Sequence, residues 1–161
     1  MEMERAGFAA GDSEAREVYA HRIVHFPQGS LIAMCGERVA GCLFAEIWAD
    51  DVALVAADFA LGHDICARHV PTGEVLYLAS MTLAPAFRGR GLGGALLEAG
   101  IAHVVLNHPQ LRAVLLLVNE AWTSARRIYT AAGFTECMRL PGFFRPDAET
   151  VQDGIVMRRP R

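Results

Sequence analysis

Two runs of almost unbroken apolar residues, Val75 to Leu83 and Ala113 to Val118, enclose a glycine and arginine loop and an amphipathic helix. No other feature constrains the fold as much. Strands that are apolar at every position must be covered on both faces, and strands joined through a helix run parallel or nearly so. The helix carries Leu97, Ile101, Val104 and Val105 on one stripe and stops before Pro109. The chain is therefore read as an α/β domain around a βαβ unit.

The loop of that unit points to a ligand. Gly89, Gly91, Gly93 and Gly94 keep side chains away from the start of the helix, where first-turn N–H groups have no partner within the helix. Such an end attracts anions, and Arg88 and Arg90 add full charges beside it, so two adjacent phosphates suit it. Gly89-x-Gly91-x-x-Gly94 also satisfies the dinucleotide-binding pattern. Here, however, Ala84 to Arg88 separate strand from glycines, and no acid for a ribose occurs between Glu98 and Glu120. A nucleotide-binding oxidoreductase is thus the weakest reading. A Walker-type loop needs a lysine, and all 15 basic residues of this chain are arginine.

The length, 161 residues, suits a single domain, residues 1–161, with a buried core. A net charge of −3 gives no reason to expect nucleic acid or an acidic membrane as partner. The acidic start, Met1 to Arg5, has no signal-like apolar core and no run reaches the length of a membrane span, so a cytoplasmic location is expected. Cys35, Cys42, Cys66 and Cys137 lack paired spacing and are expected to be reduced, mostly buried thiols, none of them a nucleophile.

Along the chain, Asp12-Ser13 with Glu14 and Glu17 marks a helix start, and Ala15, Tyr19 and Ile23 share its apolar face until Pro27 and Gly29 stop it. Ser30 to Cys35 and Val39 to Trp48 form an antiparallel hairpin around Gly36-Glu37-Arg38. On the second strand Cys42, Phe44, Glu46 and Trp48 share a face. Glu46 is then either an acid with a raised pKa and a proton-transfer role or, more ordinarily, a strand-end carboxylate reaching water. Asp50 to Glu74 is a connection of about 25 residues, with Val52, Val55 and Phe59 at helical spacing. His63-x-x-Cys66-x-x-His69 drifts round a helix without a fourth ligand, and His21 and His25 read as half-exposed helix residues, so no metal is expected. After the βαβ unit, Thr123 or Ser124 caps a short helix with Ala125, Ile128, Tyr129 and Ala132 on one face, closed by Gly133. Phe134 to Leu140 and Gly154 to Arg159 pair as a last antiparallel hairpin.

Arg88-x-x-Gly91-x-Gly93 after a strand resembles the pyrophosphate loop of the GNAT superfamily of acetyl-CoA-dependent N-acyltransferases. Ala125-Arg-Arg-Ile-Tyr-Thr-Ala-Ala-Gly-Phe134 is similar to its second signature, and the stretch from Gly142 to Met157 resembles the tail of members that acetylate protein N-termini. The resemblance covers about half the chain, from Val75 onward. It implies a GNAT-like α/β fold, a mixed sheet with splayed central strands and a C-terminal antiparallel hairpin, with acetyl-CoA bound in the opening. Main-chain groups of Met81, Thr82 and Leu83 would pair with the pantetheine arm and acetyl carbonyl. Arg88, Gly89, Arg90, Gly91, Leu92, Gly93 and Gly94 would hold the pyrophosphate, and Tyr129 would stand near the thioester sulfur.

Three departures concern the acceptor. Leu117 occupies a position where these enzymes often carry glutamate or histidine. Trp122 stands in place of the asparagine that opens the second signature; Asn119, three residues earlier, is counted among the cofactor contacts. The segment before the hairpin is short, while Asp50 to Glu74 is added.

The reading is direct transfer of acetyl to an amine, without a covalent intermediate. With no assured base, an α-amine or other weakly basic amine is expected over a lysine side chain, Glu46 or Tyr77 being the candidate proton acceptor, through water. The added segment and Phe143-Phe144 are expected to wall the acceptor site. A small-molecule amine in place of a peptide N-terminus, and a non-catalytic acyl-CoA-binding module, are the alternatives. The oligomeric state is left open, a dimer included.

Overall fold

A computed structural model describes residues 14–50 and 53–161. Six strands, β1 Ser30–Cys35, β2 Arg38–Trp48, β3 Val75–Leu83, β4 Ala113–Asn119, β5 Thr135–Phe144 and β6 Gln152–Pro160, form one sheet in the order β1-β2-β3-β4-β6-β5. Neighbours are antiparallel except β3 and β4, which are parallel. Among the described residues the α-helices are α1 Arg16–His25, α2 Ile65–Arg68, α3 Leu92–Asn107 and α4 Thr123–Ala131.

Alternation along the strands divides the core in two. On one face, Leu43, Ile47, Leu76, Leu78, Val114, Leu116 and Val118 pack with Leu97, Ile101 and Val104 of α3 and Tyr129 of α4. The approach is close, since a Cβ at Gly100 would lie 2.8 Å from Leu43. On the other face, Trp48, Phe59, Tyr77 and Leu115 form a second cluster, and Tyr19 of α1 covers Cys42 and Phe44. The shared face of Cys42, Phe44, Glu46 and Trp48 is therefore this second one.

The sheet opens at its centre. Phe44 pairs with Ser80 but Ala45 with Leu78, so Ala79 is an extra residue that bends β3. Pairing of β3 with β4 extends only from Val75 and Ala113 to Leu78 and Leu116. Beyond that point β3 follows β2 as far as Leu83 opposite Gly41, while β4 follows β6 as far as Asn119 opposite Gly154. A wedge is left between them.

Some local expectations change. The helix start at Asp12-Ser13 lies outside the described residues. The buried positions of α1 are Tyr19 and Arg22, not Ala15 and Ile23; Ile23 is 51% exposed. Ion pairs draw Arg22 inward and so set the rotation of the helix. The 50–74 connection holds a 3₁₀ turn, Ala56–Phe59, and the single-turn α2, while Val52 lies outside the described residues. It covers the edge of β2 that β1 does not reach, where Val70 N donates to Ile47 O and Ile47 N to His69 Nδ1. Backbone groups of the edge are thereby satisfied. Helix α4 begins at Trp122 without a side-chain cap from Thr123 or Ser124. A tight turn serves instead, with Trp122 N donating to Asn119 O and Ala121 N to Asn119 Oδ1. Strand β5 runs on to Phe144 because Asp153 Oδ1 accepts from Gly142 N, carrying the pairing past a left-handed glycine at φ 63°. Cys35, Cys66 and Cys137 are exposed and only Cys42 is buried, since the first and last lie on the two edge strands and Cys66 opens α2.

Candidate active site

A cleft of about 980 Å³ occupies the wedge and has lining on both faces of the sheet. At one mouth, a 3₁₀ turn at Pro85–Phe87 leads into the loop, where Gly89 and Gly91 take left-handed φ of 71° and 75°. Side chains disfavour that conformation. Gly91 is the N-cap of α3, so the first-turn N–H groups and the positive end of the helix dipole face the mouth. The Nε of Arg88 donates to Leu83 O, which fixes the loop to the end of β3. Gly91 and Gly94 have open space where a Cβ would stand, whereas a Cβ on Gly93 would meet Ile128 Cδ1 at 2.8 Å. The glycines thus divide into those facing the cleft and one that lets α4 approach α3.

Met81, Thr82, Leu83, Arg88, Gly89, Gly91, Gly93, Gly94, Tyr77 and Tyr129 all line the cleft, as sequence reasoning placed them together. Arg90, Leu92, Glu46 and Asn119 are not among the lining residues. Asn119 is fully buried in a structural role: its Nδ2 donates to Gln152 Oε1 at 2.6 Å, and its Oδ1 holds the turn before α4. Tyr129 is 9% exposed, and burial pushes its hydroxyl up to about 12. At neutral pH it is a hydrogen-bond donor with its proton in place.

On the far face the cleft is walled by Glu14, Tyr19, Leu61, Tyr77, Leu117 and Phe144. Leu61 comes from the added segment and Phe144 from the aromatic pair; Phe143 packs behind it, ring centroids 5.0 Å apart. The Tyr77 ring stacks on Trp48 at 4.0 Å, and burial, with the charges of Glu46 and Glu14, pushes its hydroxyl well above the ordinary range.

Behind this wall lies a closed ring of charges. Arg22 Nε donates to Glu46 Oε1 at 2.8 Å, and both Arg22 Nη atoms donate to the Glu14 carboxylate. Glu14 Oε1 also accepts from Gly62 N at 2.8 Å. His63 Nε2 lies 2.8 Å from Glu46 Oε2 and its Nδ1 3.0 Å from Ala60 O, while Trp48 Nε1 donates to the same Glu46 oxygen. Glu46 is 0% exposed. Burial works to raise its pKa, but the His63 hydrogen bond and charge, with Arg22, outweigh it and hold the carboxyl at about 2. Both sequence expectations for Glu46 are corrected: it neither reaches water nor has a raised pKa.

The histidine and cysteine spacing disperses. His63 serves Glu46, His69 accepts from Ile47 N, and Cys66 Sγ lies 3.2 Å from His25 Nε2. Cys66 with its histidine neighbour stands on the exposed surface outside the cleft lining, and desolvation with Asp64 pushes its thiol up. Sequence reasoning missed Glu14, Arg22, Leu61 and His63. Glu14 and Arg22 carried a usable signal, an acid just ahead of the first helix and a base within it, opposite the acid of an apolar strand face. Among the described residues no helix is long and apolar enough to cross a membrane.

Comparison with known proteins agrees with this architecture. Over 140 residues, 83% of this chain, it is 29% identical to N-alpha-acetyltransferase 40 of Saccharomyces cerevisiae, 45% of which is covered. Over 65 residues, 40% of this chain and 20% of the relative, it is 46% identical to mycothiol acetyltransferase of Thermobispora bispora. The chain thus spans less than half the length of these curated relatives. The loading GNATL domain of CurA from Lyngbya majuscula shares the fold, with a TM-score of 0.80 at 16% identity over 99% of this chain and 89% of that one. The family model described as Acetyltransferase (GNAT) family matches residues 2–134. The chain belongs to the GNAT acetyltransferase family.

Proposed function

We propose that the protein is an N-acetyltransferase that moves acetyl from acetyl-CoA directly to an amine, with preference for an α-amine or another amine of low pKa. The observation that carries this reading is the wedge between β3 and β4, open to an anion-binding loop on one side and to a chamber with aromatic residues and a carboxylate on the other. A cofactor with a pyrophosphate at one end and a thioester at the other fits such a passage. Acetyl-CoA is its co-substrate. The pyrophosphate lies on the α3 N-terminus between Arg88 and Gly94. From Ala79 onward β3 presents an edge with no β4 beside it, so the main chain of Met81, Thr82 and Leu83 can pair with the pantetheine arm and the acetyl carbonyl.

The neutral amine attacks the acetyl carbon, the C–N bond forms, the C–S bond breaks, and the departing thiolate takes a proton from the Tyr129 hydroxyl. A carboxylate held at about 2 is a weak base, so Glu46 does not remove the amine's proton itself. Tyr77, protonated at neutral pH, orients the amine, whose proton leaves through water to bulk solvent, and the Tyr129 hydroxyl is reprotonated from solvent before the next turnover. An ammonium substrate meets the carboxylate of Glu14 on entry. A second reading, a small-molecule amine as acceptor, is favoured by the 46% identity to mycothiol acetyltransferase. Thiol release from acetyl-CoA against a panel of N-terminal peptides and small amines tests both readings. Release with an α-amine peptide supports the first, release with small amines alone supports the second, and release with neither overturns the enzyme reading.

A further inference from the structure

Three members of the charged ring, Arg22, Glu46 and His63, are not among the residues lining the cleft, so any effect they have on it passes through the members that do. Those are Glu14, which Arg22 grips with both Nη atoms, and Leu61, which precedes the Gly62 amide bound by Glu14. The ring closes on itself, His63 to Glu46 to Arg22 to Glu14 to Gly62, next to His63 in the chain. We infer that His63 is a positioning residue for the acceptor site, holding Glu14 and Leu61 in place through Glu46 and Arg22 when it is protonated and releasing them when it is not. This rests on the acetyltransferase reading above.

The geometry requires an imidazolium. Both ring nitrogens face oxygen acceptors, Glu46 Oε2 and Ala60 O, and only the doubly protonated ring can donate to both. Charge leads to the same conclusion. Two carboxylates face one guanidinium in a region where Arg22 is 1% and the Glu14 side chain 6% exposed. A neutral His63 would leave one buried carboxylate unmatched, which is costly. The groups around the ring are Glu46 and Trp48 of β2, Arg22 of α1, the Tyr77 ring of β3, Glu14 ahead of α1, and the Ala60 carbonyl of its own segment. Burial and the Arg22 charge lower the imidazole pKa, but Glu46 and the Ala60 carbonyl outweigh them and hold it above the ordinary value. A pKa raised on folding contributes order that is complete below the unfolded value of about 6.5 and is lost as pH rises through the folded one.

The test compares wild type with His63→Gln, which keeps one donor and no charge, and with His63→Ala. Dividing the wild-type kcat/KM for the amine by that of the Gln variant at each pH cancels the titration of the amine itself. The expected ratio is about tenfold at low pH, within the range of coupled networks, carried by the amine KM, and falls toward unity as His63 loses its proton; acetyl-CoA affinity by calorimetry stays unchanged in both variants. A second measurement needs no substrate. In the NMR spectrum of the unliganded protein, the Gly62 amide signal is expected to shift with the same midpoint as the His63 ring. Absence of acetyl transfer to any amine counts against the enzyme reading alone, because the NMR titration still decides the coupling. A ratio that does not change with pH, or a Gly62 amide indifferent to the titration of His63, overturns the inference.

Discussion

Arg22 stands between two carboxylates that have almost no water to share their charge, so the side chain matters through what its loss would leave behind. Taking one partner from a buried ionic network typically costs about 3–5 kcal/mol, because the remaining charges stay desolvated. Arg22→Met, which keeps the stem and removes the guanidinium, is therefore expected to lower the unfolding free energy by an amount in that range, read as a lower urea midpoint with little change in slope. An effect no larger than that of an exposed pair such as Arg112 with Glu74 would show that the ring opens to water in solution. Tyr129 allows a cleaner separation of packing from chemistry. Its ring packs near Phe134, centroids 6.0 Å apart, and Tyr129→Phe keeps that ring while removing only the hydroxyl. Loss of a proton donor to the thiolate is expected to lower kcat about 100- to 10,000-fold with stability nearly unchanged. A fall below about threefold would make Tyr129 a packing residue, since general acid catalysis is worth far more.

At the level of elements, the loop and the start of α3 combine two demands that the sequence pattern cannot separate. Four glycines in a short stretch read alike in a string of letters, but Gly94 faces open cleft while Gly93 faces Ile128 of α4. A methyl at Gly94 is expected to reduce acetyl-CoA affinity by crowding the phosphates while stabilising the helix by up to about 1 kcal/mol, as alanine does in place of glycine. A methyl at Gly93 must displace Ile128, which itself lines the cleft, so Gly93→Ala is expected to lower thermal stability as well as affinity. Calorimetry and thermal melts on the two variants check this opposition; equal stability losses would mean that both glycines serve helix packing. Strands β1 to β4 and helix α3 were legible because each carries its own periodicity or apolar run. The rotation of α1 was not, because it follows Arg22 toward Glu46, 24 residues away, against the apolar pattern of Ala15, Tyr19 and Ile23. The entrance to α4 was misread for a related reason: Thr123 and Ser124 look like caps, but Asn119 upstream makes the turn.

Over the whole molecule, the two halves of the candidate site differ in how their information is stored. The side of the cleft at the glycine loop is almost one continuous stretch, β3 through α3, with α4 added, and most of the residues singled out there in the sequence line the cleft. The acceptor side is assembled from Glu14, Tyr19, Leu61, Tyr77, Leu117 and Phe144, residues brought together by the order of strands and by a segment folded back along the edge of β2. No local motif joins them, and of the charged ring behind them only Glu14 and Arg22 carried a signal in the sequence. Its geometry nevertheless sharpens the expected choice of amine. Glu46 is held at about 2 and Leu117 carries no proton-accepting group, so the share of amine already neutral sets the supply of nucleophile. An α-amine of pKa ~8 is about one-tenth neutral at pH 7, whereas a lysine amine of pKa ~10.4 is neutral only about four times in 10,000. A nearby carboxylate such as Glu14 raises both values, and since it acts on both amines in the same direction it leaves their order intact. One peptide prepared in two forms, a free α-amine with its lysine blocked and a free lysine with its N-terminus blocked, is expected to be acetylated faster in the first form. The advantage should shrink as pH rises toward the lysine pKa and the neutral fractions converge; faster turnover of the lysine form at pH 7 would mean that the site removes the amine's proton with a strong base of its own.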